Sequence, residues 1–341
     1  MSFCEEIVVH TVQVLINSNY HVIEYPEKLD LCFELIARHI SGKTPSLVIK
    51  IVENIDNIRS YYLNELKIVS HLIHALPLLI GVKNRRNNLI DGIIYLRDNL
   101  ISVNLPTFTQ VIQNPILPMA IAKKGGFFYN IDGDKIVRLR SDKQITQKKL
   151  AEQMDLSSKA IGSYEKGRMR ASHEHAEKLK NILGESVVLP LDFFDILQDT
   201  ISSFKLKENL QRRITKKTQE FMKEINEIVS DTGLKVYWTR TSPYDLFIYD
   251  EPEEENTPID YKLVGGTKID PNEDKAILEF KSRFFPNISV LQADGVIIVN
   301  DELLDIDQIK EYRIPYIFPK ELRELENPEQ FHKKIKKRVY R

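Results

Sequence analysis

Two carboxylates and a lysine near the C-terminus have the spacing of a metal-dependent hydrolytic site. Asp245 lies two positions after Pro243, and Asp260 lies two positions before Lys262, which gives a P-x-D…D-x-K pattern. Paired carboxylates can hold Mg²⁺, and a nearby lysine can stabilise the attacking water or the phosphate. As one alternative, the pattern therefore indicates phosphodiester hydrolysis by Asp245, Asp260 and Lys262.

The N-terminal third carries a related but altered arrangement. Glu34 and Lys50 fit the same spacing, and Glu5 or Glu6 offers an acid on the preceding helix, but Val48 replaces the middle acid. The order of helix, strand, strand with an acid, and strand ending in lysine resembles restriction-endonuclease-like and Holliday-junction-resolvase-like domains. Since Val48 cannot bind a metal, we expect this copy to be inactive as a nuclease.

Short matching segments indicate that the two α/β regions arose by internal duplication. Residues 91–95 match residues 294–298, and residues 33–36 match residues 244–247. Two unrelated α/β domains with generic strand patterns are the alternative. Because a P-x-D…D-x-K spacing often arises by chance, a degenerate nuclease-like scaffold is favoured over an active nuclease. Such a scaffold would serve dimerisation or the binding of an effector or partner.

The middle of the chain differs from both flanking regions. Residues 135–189 show four consecutive helical patterns and no strand-like run. Between Lys135 and Glu185 there are 12 Lys and Arg against 7 Asp and Glu, whereas the whole chain has 48 against 49. A locally basic helical module in a chain with a net charge of −1 indicates nucleic-acid binding.

This module has the pattern of a helix-turn-helix. Thr146 and Ser157 are suited to cap two successive helices, and Gly167 is suited to end the second one. Seven residues have predicted structural roles, as buried positions or as an ion pair between Arg140 and Glu165. They are Arg140, Leu150, Ala151, Leu156, Ile161, Tyr164 and Glu165.

The second helix of the motif presents short polar groups and one cation outward, which suits insertion into a major groove. Gln147 begins the preceding helix, where the side chain and the helix N-terminus can both meet a phosphate. The predicted DNA-binding residues are Gln147, Lys148, Ser157, Ser158, Lys159, Gly162, Ser163, Lys166, Arg168 and Arg170. Because residues 158–163 contain no Asn or Gln, we expect phosphate contacts and DNA shape to carry much of the binding.

Over residues 140–167, the pattern R-x₅-T-Q-x₂-L-A-x₄-L-S-x₃-I-x₂-Y-E-x-G resembles the lambda repressor/Cro class of helix-turn-helix. Together with the preceding segment GGFFYNIDG (residues 125–133), it is similar to an archaeal family of helix-turn-helix transcriptional regulators. That family has α/β regions before and after its DNA-binding module. The resemblance covers nearly the whole chain and implies transcriptional regulation through double-stranded DNA.

The predicted fold class is α/β (α+β) and multidomain. A central all-α, lambda-repressor-like helix-turn-helix domain is expected between two related, restriction-endonuclease-like α/β domains. The predicted domains are a degenerate nuclease-like α/β domain (1–118), a connector (119–134), the helix-turn-helix domain (135–195), a long helix with a C-terminal α/β domain (199–325), and a basic tail (326–341).

The composition argues against several classes of protein. Cys4 and Cys32 are too few for a disulfide framework and are not clustered as zinc ligands. No apolar stretch approaches the ~20 residues of a membrane span, and the N-terminus opens with acids rather than with a basic signal. We expect a cytoplasmic, nucleoid-associated protein with no metal, no cofactor and no membrane contact.

The function predicted from these observations is that of a sequence-specific transcriptional regulator, a homodimer on double-stranded DNA and not an enzyme. One alternative is a Mg²⁺-dependent nuclease or resolvase-like enzyme that the helix-turn-helix targets to DNA. Another is a protein-interaction module that contacts the transcription machinery or chromatin. Metal-dependent cleavage would identify the first alternative, and the absence of salt-sensitive duplex binding would identify the second.

Overall fold

A computed structural model describes residues 3–26, 30–184, 187–202, 216–250, 262–268, 288, 293–300, 309 and 315–339. The chain divides into two compact units. The first comprises residues 1–18, 51–58 and 78–200, and the second comprises residues 19–50, 59–77 and 201–341.

The described helices lie at both ends and in the middle of the chain. They are α1 (Phe3–Asn17), α2 (Ser60–Leu72), α3 (Leu105–Gln113), α4 (Gly133–Asp142), α5 (Gln147–Gln153), α6 (Ser158–Glu165), α7 (His173–Leu183), α8 (Phe193–Ser202), α9 (Lys216–Asp231), α10 (Pro319–Leu322) and α11 (Pro328–Val339). Among the described ranges, no helix combines the length and the apolar composition that crossing a bilayer requires.

The strands are β1 (Tyr20–Glu24), β2 (Leu35–His39), β3 (Ser46–Asn54), β4 (Ala75–Lys83), β5 (Ile93–Arg97), β6 (Leu100–Val103), β7 (Ala120–Lys123), β8 (Gly126–Ile131), β9 (Ala171–Ser172), β10 (Val188–Leu189), β11 (Lys235–Trp238), β12 (Leu246–Tyr249), β13 (Lys262–Lys268), β14 (Asp294–Val299) and β15 (Tyr316–Ile317). One sheet has the order β1-β2-β3-β4-β6-β5-β7-β8-β10, with β9 paired to β8 as its tenth strand. A second sheet has the order β11-β12-β13-β14-β15.

The predicted fold class is wrong in its central element, because the middle module is not an all-α domain. Strand β8 pairs with β7, β9 and β10, so the module's helices are built onto the ten-stranded sheet. Ile131, Ala171 and Val188 come from these strands and are buried in one cluster with Leu150 and Ile161 of the helices. Strands of two residues such as β9 and β10 leave no alternating pattern, so the sequence could not reveal them.

The second unit places apolar residues of its helices against the five-stranded sheet. Ile225 of α9 and Phe331 of α11 are fully buried in the same cluster as Leu263 and Val296 of the strands. Residues 326–341 were predicted as a basic tail, but residues 328–339 form α11, whose apolar face is part of this core. Residues 119–134, predicted as a connector, contain β7 and β8.

Candidate nucleic-acid interface

Helices α5 and α6 form a helix-turn-helix whose ends are fixed by local hydrogen bonds. The Thr146 hydroxyl accepts from the Lys149 amide at 3.1 Å, and the Ser157 hydroxyl accepts from the Ala160 amide at 3.2 Å. Asp155, in the turn between α5 and α6, has a φ of +55°, and Gly167, just after α6, has a φ of +63°. Aspartate and glycine tolerate this left-handed conformation better than most residues, which explains their positions.

Glu165 at the end of α6 connects three parts of the motif. It accepts from Arg140 Nε of α4 at 2.7 Å through one carboxylate oxygen and from Gln147 Nε2 of α5 at 2.8 Å through the other. At Gly133, a Cβ would lie 2.7 Å from the Tyr164 carbonyl oxygen, so only glycine allows α4 to approach α6 this closely. These contacts hold α6 in place through its C-terminal end.

Gln147 therefore has a role that the sequence did not reveal. Its side-chain amide donates to Glu165, and its Nε2 lies 3.4 Å from the position that a Cβ at Gly162 would take. Gly162 thus leaves room for the Gln147 side chain to cross α6. Because one amide hydrogen of Gln147 is used for Glu165, the predicted phosphate contact would have to come from the N-terminus of α5 and from the second amide hydrogen of Gln147.

The other predicted DNA-binding residues divide into exposed and internally bonded groups. Five of the predicted positions are exposed on α5, α6 and the following turn: Lys148, Ser158, Lys159, Lys166 and Arg168; Lys149, beside Lys148 on α5, is exposed as well. Ser157 is also exposed, but its hydroxyl caps α6. Ser163 Oγ donates to the Lys159 carbonyl at 3.0 Å, and Arg170 Nε donates to Asn130 Oδ1 at 2.7 Å. The exposed set gives five cations and a hydroxyl around α6.

Glu34 and Lys50, the N-terminal residues with nuclease-like spacing, are bonded to each other. Lys50 pairs with Glu34 and also donates to the Leu31 carbonyl at 2.7 Å, with side-chain exposures of 13% for Lys50 and 5% for Glu34. Val48, where the sequence predicts that a metal ligand is missing, is fully buried. The lysine and the acid of this segment therefore neutralise each other in a largely dry environment.

The backbone hydrogen bonds of Asp245 repeat those of Glu34. The Glu34 amide donates to the Ile49 carbonyl at 3.0 Å, and the Asp245 amide donates to the Gly265 carbonyl at 2.9 Å. By this register, the position corresponding to Lys50 is Gly266, one residue after Gly265. The Asp245 carboxylate accepts from the Thr267 amide at 2.7 Å and from its hydroxyl at 3.1 Å.

The same register separates the predicted catalytic residues. Lys262 is aligned with Tyr249 at the far end of β12, whereas Asp245 precedes the first residue of that strand. Three strand residues lie between these positions, which corresponds to roughly 13 Å at about 3.3 Å per residue. The structure thus does not bring Asp245 and Lys262 together, and Asp260 lies outside the described residues. No group of three or more His, Cys, Asp or Glu side chains suited to a metal ion occurs within the described ranges.

A buried carboxylate that the sequence did not single out stabilises the second unit. Glu65 of α2 is 5% exposed and accepts from the amides of Arg240 and Thr241, as well as from the Thr241 hydroxyl at 2.8 Å. The Cys32 amide donates to the Thr241 carbonyl at 2.8 Å. Only the fold reveals this role, because the partners are about 175 residues apart in the sequence.

A family model described as a PD-(D/E)XK superfamily domain matches residues 4–118. This match covers the predicted nuclease-like N-terminal region, which contains the buried pair of Glu34 and Lys50 and also Val48, where the sequence predicts that an acid is missing.

Several archaeal proteins, each named "putative HTH-type transcriptional regulatory protein", are similar to most of the chain. The relative from Methanocaldococcus jannaschii is 28% identical over 91% of this chain and 98% of its own length. The relative from Pyrococcus furiosus is 28% identical over 81% of each chain. The relative from Methanothermobacter thermautotrophicus is 26% identical over 90% of this chain and 88% of its own length. The predicted resemblance to this archaeal group is confirmed, whereas the lambda repressor/Cro class is not.

Proposed function

We propose that this chain is a transcriptional regulator that binds double-stranded DNA in a sequence-specific manner through α5 and α6. The observation that carries the proposal is the exposed cationic surface around a rigidly held α6. Ser158 and Lys159 are exposed in its first turn, while Glu165 fixes its last turn to α4 and α5. The names of the archaeal relatives support the same role.

In the proposed complex, the first turn of α6 enters the major groove. Lys159 can donate to the acceptor atoms of a guanine, and Ser158 can donate to or accept from a base edge. Lys148, Lys149, Lys166 and Arg168 flank α6 and neutralise phosphates. The small number of base-reading side chains agrees with binding that depends on the phosphate backbone and on DNA shape.

A homodimer is part of the proposal. A single α6 reads only a few base pairs, whereas two copies on half-sites about 10 base pairs apart would specify a longer operator. We place the active protein in the cytoplasm, associated with the nucleoid. Contact with the transcription machinery is compatible with this role but rests on no particular residue.

A Mg²⁺-dependent nuclease is the second candidate function, and the PD-(D/E)XK match favours it. The described contacts weigh against it, because Lys50 is bonded to Glu34 and the Asp245 carboxylate is bonded to Thr267. The register also places glycine where the second segment would need its lysine. We therefore propose that the nuclease-like segments have a structural role.

The test is a selection from random genomic duplex fragments at several salt concentrations in the presence of Mg²⁺. The proposal predicts that one sequence is enriched, that affinity falls steeply with salt, and that the DNA is recovered intact. Recovery of cleaved DNA would favour the nuclease. Failure to retain any duplex would overturn DNA binding and favour a protein-interaction module.

A further inference from the structure

Strands β7 and β8 form a hairpin with a basic, exposed tip. Lys123 pairs with Gly126 across the hairpin, which leaves Lys124 and Gly125 as the connecting residues. Lys123 and Lys124 are both exposed, and within the described part of the chain neither forms an ion pair or a side-chain hydrogen bond. Gly125 and Gly126 have φ values of +102° and +130°, a backbone conformation that favours glycine, so these two positions carry no side chain.

This hairpin is attached directly to the segment that leaves α6. Strand β8 pairs with β9, and in this pairing Phe128 lies opposite Ser172 and Tyr129 lies opposite Ala171. The side chain of Arg170, just before β9, donates to Asn130 of β8 at 2.7 Å. The hairpin and the C-terminal end of α6 are therefore held in one fixed arrangement within the first unit.

A groove of about 650 Å³ lies between the hairpin and the segment after α6. Lys123 contributes a cation from the hairpin, and Arg168 and Arg170 contribute cations from the other side. The lining residues that the structure describes include no acid. Exposed Met169 and Leu189 add apolar surface, at 41% and 39% exposure. A strand with regularly spaced negative charges and apolar sugar faces matches this lining.

We propose that the β7–β8 hairpin is a wing that binds the DNA backbone beside the segment read by α6, with one sugar-phosphate strand in this groove. The inference rests on the proposed DNA-binding function and adds a second contact region to it. Lys123 and Lys124 neutralise phosphates that α5 and α6 do not reach. The glycine tip lets the hairpin backbone approach the duplex closely.

The test compares Lys123→Gln/Lys124→Gln with a control variant on the same protein. Arg85→Gln/Arg86→Gln removes the same charge from another exposed turn, between β4 and β5, and is expected to bind DNA as the wild type does. The wing variant should reduce the slope of log affinity against log salt by about 2, because each lost phosphate contact contributes about 0.9. Its preference among DNA sequences should stay unchanged.

Hydroxyl-radical footprinting on the selected duplex locates the contact. The wild type and the arginine control should protect backbone positions flanking the segment read by α6, and the wing variant should lose that flanking protection. Equal slopes and footprints for the two variants would overturn the wing while leaving the proposed function intact. Failure of the wild type to bind duplex DNA would instead overturn the proposed function, and the wing with it.

Discussion

The helix-turn-helix and the segment β1–β2–β3 arrange their charged side chains in opposite ways. In β1–β2–β3, Lys50 and Glu34 are buried together, and Lys50 also bonds to a carbonyl oxygen. In the helix-turn-helix, Lys148, Lys149 and Lys159 are exposed, while Arg140 and Glu165 pair beneath them. Both regions carry residue types that handle phosphates, yet the Glu34–Lys50 pair is buried whereas the three lysines of the helix-turn-helix face solvent.

This difference shows that residue type and spacing do not by themselves make a site. A buried lysine that is paired with a carboxylate is already neutralised and costs free energy to separate from its partner. When an exposed lysine binds a DNA phosphate, counterions condensed on the DNA are released, which favours binding. On this comparison we propose a structural role for the nuclease-like segment and a DNA-binding role for the helix-turn-helix.

The largest expected effect is on stability and concerns the buried pair. Lys50→Met leaves the Glu34 carboxylate buried without its cation, so we expect a loss of about 3–5 kcal/mol in the free energy of unfolding. Glu34→Gln/Lys50→Met removes both charges and should recover most of that loss. Denaturant titrations measure both effects. If the single variant is as stable as the double variant, the pair has no structural role.

The next effect concerns DNA affinity. Lys159→Ala should weaken binding of the selected duplex by about 1–3 kcal/mol if Lys159 meets a base, with an unchanged denaturation midpoint. Lys43→Ala removes an exposed lysine of the second unit and is the matched control, with wild-type affinity expected. Equal affinities for the two variants in fluorescence anisotropy would show that Lys159 does not contact the DNA.

A smaller effect is expected at Asp245. Asp245→Asn keeps an oxygen that can accept from Thr267 but loses the charge, so we expect a loss of about 0.5–1.5 kcal/mol in stability. DNA affinity and the integrity of the DNA in Mg²⁺ should not change. A Mg²⁺-dependent cleavage activity that this substitution abolishes would show that Asp245 is a metal ligand.

The smallest effect concerns the two thiols. Burial, together with the nearby Glu65 carboxylate, raises the pKa of the Cys32 thiol well above its ordinary value. Cys32 therefore stays protonated as the pH rises from 7 to 9, whereas Cys4 is half-buried and more accessible. Iodoacetamide should modify only Cys4 in the native protein and both thiols in denaturant. Rapid modification of native Cys32 would contradict its packing against Thr241.

The sequence predicts the helix-turn-helix well because its signals are local. Thr146 and Ser157 cap helices a few residues away, and Gly167 ends one, so each role depends on the neighbouring chain. The strands attached to this motif could not be predicted in the same way. Strand β9 has two residues, and its pairing with β8 joins positions more than 40 residues apart.

The candidate site likewise depends on contacts between distant parts of the chain, which the sequence does not reveal. The spacing of Asp260 and Lys262 matches a motif, but strand register places Lys262 beside Tyr249 and glycine near Asp245. The contact between Gln147 and Glu165 likewise depends on how α5 crosses α6. Internal duplication of the α/β regions stays a prediction, favoured by the backbone hydrogen bonds that Glu34 and Asp245 share.

A combined binding and cleavage assay tests the division of roles most directly. The selected duplex is incubated in Mg²⁺ with the wild type, with Ser158→Ala/Lys159→Ala and with Glu34→Gln/Lys50→Met, and both retention and strand integrity are measured. We expect the wild type and the Glu34/Lys50 variant to retain the duplex equally and the Ser158/Lys159 variant to retain much less of it. The DNA should stay intact with all three proteins. Cleavage by the wild type that the Glu34/Lys50 variant abolishes would contradict the account, as would full binding by the Ser158/Lys159 variant.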